Sequence, residues 1–122
     1  MNKTEALYSF YSSFGIPAYE ENSVPLNAKM PYITYEVVTD SLSDYTTSVT
    51  CQLWYKSNSW VQCNAMAETI SERLQGGYRI KVDKGYMILY TGTPYALNVP
   101  YEDDNTIKHK SINIECDYVT LT

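Results

Sequence analysis

Apolar side chains fall on every second residue through three stretches of this chain, a period that fits strands with one buried face. From Tyr32 to Val38, Ile33, Tyr35 and Val37 point one way while Tyr32, Thr34 and Glu36 point the other. From Thr47 to Lys56 the shared phase is Val49, Cys51, Leu53 and Tyr55; from Ile107 to Leu121 it is Ile112, Ile114, Cys116 and Tyr118. Such strands need cover on their apolar face, and two segments of helical period supply it. In the first, Lys3 to Phe14, Leu7, Phe10, Tyr11 and Phe14 recur on one face. Asn2 and Glu5 are spaced as a capping box, and Gly15 and Pro17 stand where a helix stops. The second starts after Ser57 or Ser59, either of which can cap it, and runs to Gln75. It carries Trp60, Cys63, Ala67, Ile70 and Leu74 at helical spacing before Gly76 and Gly77.

Ala18 to Glu20 reads as a short strand, Asn22 to Pro31 as a loop and Thr39 to Tyr45 as a polar turn. Tyr78 to Val82 and Tyr86 to Tyr90 form a predicted hairpin through Asp83, Lys84 and Gly85, with the glycine at the bulge position of a three-residue loop. Thr91 to Thr106 has no regular pattern and holds Gly92, Pro94, Pro100 and the acidic run Glu102, Asp103, Asp104. An irregular stretch this long in a compact domain is usually either functional or mobile. The predicted order is α, β, β, β, α, β, β, β. It implies an α+β fold in which two helices pack on one face of a mostly antiparallel mixed sheet. At 122 residues, the whole chain fits one domain, 1–122.

The chemistry that would make an enzyme is not evident. His109 is the only histidine, and it stands with Lys108, Lys110 and Ser111 on what reads as a solvated strand face. No phosphate loop, nucleophile elbow or zinc motif occurs, so no catalytic residue and no cofactor are expected. Cys51, Cys63 and Cys116 are odd in number and lack metal spacing, and they read as reduced core thiols made in a cytosol. The acidic run lacks the spaced ligands of a calcium loop, so no metal site is expected. With 14 acidic against 9 basic side chains the net charge is −5, which disfavours a nucleic-acid backbone as ligand. No apolar run is long enough to span a membrane, and no signal peptide opens the chain.

Tyrosine is the unusual component, with 13 residues. Tyr19, Tyr32, Tyr45, Tyr95 and Tyr101 fall on polar phases or in loops, where a large ring with a polar tip suits a protein interface. Tyr45, Tyr95 and Tyr101 are therefore candidate anchors, in two loops expected to face neighbouring subunits.

Three stretches carry a family resemblance: Glu5 to Phe10 with Ser13 to Tyr19, Pro31 to Glu36, and Leu53 to Ser57 with Trp60. They resemble small proteins of phages infecting Gram-positive bacteria, described as minor capsid or tail completion proteins and similar to the tail terminators of siphophages. The likeness runs from residue 2 to about residue 120. It implies a small module of two helices on a sheet, closed as a hexameric ring in the virion at the head-proximal end of the tail tube. Such a ring stops tube polymerisation and joins the tail tube protein to the head-closure or connector protein, while DNA passes through the lumen without specific binding. Asp103 and Asp104 would then face that lumen and repel the DNA. Another head–tail joining part, such as a head-closure or tube protein, is the alternative, and a small binding module ranks after it. The family has no reactive motif to match, so no contact residue is carried over by the resemblance.

Overall fold

The computed structural model describes residues 1–36 and 47–120. The elements are α1 (Lys3–Ser12), β1 (Ala18–Glu20), β2 (Tyr32–Tyr35), β3 (Thr47–Ser48), β4 (Cys51–Lys56), α2 (Val61–Leu74), β5 (Tyr78–Val82), β6 (Gly85–Val99) and β7 (Ile107–Thr120). They build one mixed sheet in the order β1-β2-β4-β7-β6-β5, with β3 on the flank of β7. Among the described residues, only β1 and β2 pair in parallel. The α+β architecture is the expected one. The predicted strand from Thr47 to Lys56 is interrupted at Val49 and Thr50 but keeps its register: Ser48 lies opposite Glu115 and Cys51 opposite Ile112, three residues on in each strand. The part of the predicted second strand at Val37 and Val38, and the turn to Tyr45, lie outside the described residues.

The predicted loop from Thr91 to Thr106 is the main correction. The strand begun at Gly85 continues to Val99, paired with β7 from Gly85 to Thr91 and again from Ala96 to Val99. What breaks the alternation is a bulge: Thr91 lies opposite Ile114 and Ala96 opposite Ile112, so Gly92 to Tyr95 together face Asn113 alone. Gly92 permits the close approach, since a β-carbon there would sit 3.1 Å from Asn113 Cβ. The Asn113 side-chain amide donates to the Pro94 carbonyl at 3.2 Å. Three extra residues are an odd number, so the inward phase passes from Met87 and Leu89 to Ala96 and Asn98. The hairpin before it is tighter than predicted. Val82 pairs with Gly85, leaving a two-residue turn in which Lys84, not the glycine, takes the positive φ of 70°.

Both helices cover one face and share one core. Ala6, Leu7, Phe10 and Tyr11 from α1 and Cys63, Ala67, Ile70 and Leu74 from α2 join Ile33, Leu53, Leu89 and Ile114 from the sheet. Each large side chain in such a cluster contributes about 1.5–3 kcal/mol by leaving water. Helix α1 touches β1 and β5, the two outermost strands, so the sheet must curl around it. The capping box forms as predicted, Asn2 Oδ1 accepting from the Glu5 amide at 2.8 Å and Glu5 returning the bond at 2.9 Å. Helix α2 begins one residue after Trp60, and the Ser59 hydroxyl accepts from the Val61 amide at 3.1 Å. The three cysteines are free and buried.

Candidate interaction surface

Opposite the helices, the sheet presents a face of mixed aromatic and polar side chains, aligned by register. One row runs Tyr32, Trp54, His109 and Val99 across four adjacent strands. The next runs Thr34, Gln52, Ser111 and Leu97. The aromatic rings contact along the first row. Tyr19 meets Tyr32 edge-on at 5.7 Å, Tyr32 lies 6.4 Å from Trp54, and Trp54 stacks on the His109 ring at 3.8 Å and 13°. Polar groups tie the rows together. The Trp54 indole donates to Thr34 Oγ1 at 3.0 Å, His109 Nε2 bonds Gln52 Oε1, and the Gln52 amide donates to Ser111 Oγ at 3.3 Å. Burial lowers the His109 pKa, favouring the neutral ring. The result is an ordered belt of half-buried rings, edged by Leu97, which is 56% exposed.

The residues predicted as anchors fall in different places. Tyr45 lies outside the described residues. Tyr95 is not a free loop anchor: it sits in the bulge of β6, half-buried, and its hydroxyl donates to the Ala67 carbonyl of α2 at 2.7 Å. Desolvation there raises its pKa, so the phenol stays protonated. Tyr101 follows β6 and is 43% exposed, available to a partner. Asp103 is exposed, whereas Asp104 is a turn residue: its carboxylate accepts from the Thr106 hydroxyl at 2.6 Å and the Thr106 amide at 2.8 Å, and these bonds lower its pKa. The structure thus gathers Tyr101 and Asp103 in one turn and keeps Tyr95 apart. The sequence reading did not single out Trp54 or Leu97. For Trp54 the signal existed, because it shares the polar phase of its strand with Gln52; Leu97 was hidden by the bulge.

Lys108 and Lys110 also differ from the expected solvated face. They share the phase of Ile112, on the helix side of the sheet, and both ammonium groups stand over the Trp60 ring at 5.7 and 5.6 Å. Two clefts open along α2. One, of about 670 Å³, runs between its C-terminal end and Ile88, Tyr90 and Asp117; the other, of about 420 Å³, lies between its middle turns and the bulge. Among the described residues, no group of three or more His, Cys, Asp or Glu side chains is placed to hold a metal, and no helix is long and apolar enough to cross a membrane. No protein-family model, curated protein or solved structure matches the chain.

Proposed function

We propose that this chain is a structural phage protein that assembles as a ring at the head-proximal end of a tail tube, ending polymerisation and joining the tail to the head connector. The observation that supports it best is the aromatic belt of Tyr19, Tyr32, Trp54 and His109, held in register on the sheet face that neither helix covers. Aromatic side chains held by neighbouring rings, with Trp54 and His109 also hydrogen-bonded, contribute contact area at low entropic cost, the usual composition of a protein interface. The Tyr101 to Asp103 turn and the flank of β6 beyond its pairing with β5 add backbone and side-chain groups for neighbours. The resemblance in sequence gives the particular assembly, and the virion is the location it implies.

Electron microscopy of particles from a phage deleted for this gene tests the reading. Overlong tubes, or tubes of normal length without heads, are the expected result. Normal tails joined to filled heads would remove the role.

A further inference from the structure

Lys110 is 9% exposed and sits on the helix side of the sheet, between Leu53 of β4 and Asn98 of β6. Its ammonium group donates to Asn98 Oδ1 at 2.6 Å and faces the Trp60 ring. An ammonium carries three donors, and among the described residues no carboxylate is found in an ion pair with Lys110. A buried positive charge with one amide acceptor and a ring, and no carboxylate bonded to it, keeps donors free for an anion, although Glu68 lines the same groove. Over it opens the 420 Å³ groove, lined by Asn64, Glu68 and Ser71 of α2, Tyr95 of the bulge, and Asn98. With its oxygen facing Lys110, the Asn98 amide keeps N–H donors for a second bond. Ala67, Ala96 and the Tyr95 ring add an apolar wall.

We propose that this groove binds a carboxylate, with Lys110 as the charged contact and the side-chain amides and hydroxyl as neutral donors. Glu68 in the lining and the net charge of −5 over the whole chain disfavour a dianion such as phosphate relative to a single negative charge. Two sources share this chemistry: a free monocarboxylate, or an Asp or Glu side chain on a second copy of the chain. The site does not depend on a role in tails, and loss of that role would leave it standing.

The test is an NMR titration of the full chain with sodium acetate against sodium chloride at matched ionic strength, reading the Lys110 side chain and the Asn98 amide. Saturable shifts with acetate alone are expected. Lys110→Met should weaken binding by at least about tenfold, the loss of a charge-assisted hydrogen bond. Because removing a buried lysine can disturb folding, Asn98→Asp is the second variant. It places a carboxylate where the amide oxygen now meets the ammonium, and should keep the fold while abolishing saturable binding. Shifts that never saturate and match those in chloride would overturn the site, as would undiminished acetate binding in both variants. Sedimentation then separates the sources. Self-association that acetate competes away and Asn98→Asp removes assigns the carboxylate to a second copy; a monomer at every concentration, together with saturable acetate binding, assigns it to a free acid.

Discussion

Tyr11 is wholly buried, its ring stacked 4.8 Å from Tyr35 and its hydroxyl donating to the Val49 carbonyl at 3.1 Å. Val49 lies where β3 and β4 part, so this one hydroxyl ties helix α1 to the interruption in the strand. Burial, and then the neighbouring Cys51, hold the phenol well above its ordinary pKa, and it remains a neutral donor. Tyr11→Phe leaves the carbonyl without that partner and should cost about 1–2 kcal/mol, read as a lower urea midpoint with an unchanged slope. His109 gives a pH dependence. Burial lowers its folded pKa below the ordinary 6.5, so the unfolded chain takes up this proton first as pH falls. Its contribution is intact above about pH 6.5 and is lost as pH drops through the lower folded value. Between about pH 7.5 and pH 5, wild type should lose more thermal stability than His109→Gln, which has no group to titrate there. Parallel melting curves for the two proteins across that range would show that the ring is not desolvated in solution.

At the scale of elements, the end of α2 shows how two adjacent glycines differ. Gly76 and Gly77 both take positive φ, 78° and 90°, but a β-carbon on Gly76 would meet open space while one on Gly77 would meet Ile88 Cγ2 at 3.2 Å. Alanine at either position bears the left-handed backbone cost of about 1–2 kcal/mol. Gly77→Ala adds a push against β6 and should be the more destabilising of the two, measured by chemical unfolding. Both glycines were legible as a helix stop, as were the capping box and the apolar faces of both helices, because these signals are local. The second half of β6 was not legible. Its bulge inserts an odd number of residues and inverts the inward phase, and Gly92 and Pro94 within it read as loop punctuation. Lys110 shows the opposite effect. It lies in phase with Ile112 throughout, yet its charge suggested solvent, and only the passage of α2 with Trp60 over that end of the sheet buries it.

For the whole molecule, the curl of the sheet decides what can serve as an interface. Its inner face is filled by α1, which reaches both outer strands, and by α2, so the belt on the opposite face is the sheet surface left open to partners. That belt was partly visible in the sequence, as Tyr19, Tyr32 and His109 on polar phases; joining them required the register across β2, β4 and β7. Leu97 provides the cleanest probe of it, since it is 56% exposed and makes little of the core. Leu97→Glu should leave the melting temperature of the free protein nearly unchanged, because an exposed substitution away from packing and caps costs within about 0.5 kcal/mol. In an assembly that seats this face against another subunit, the same change buries an unpaired carboxylate and should reduce virion yield by about tenfold or more, the cost of a charge left without a partner. Complementation of a deletion phage with wild-type or Leu97→Glu protein, scored by plaque count and tail morphology, makes the comparison. A fully complementing variant would move the contact away from the belt, to the Tyr101 to Asp103 turn, where Tyr101→Ala would then carry the defect.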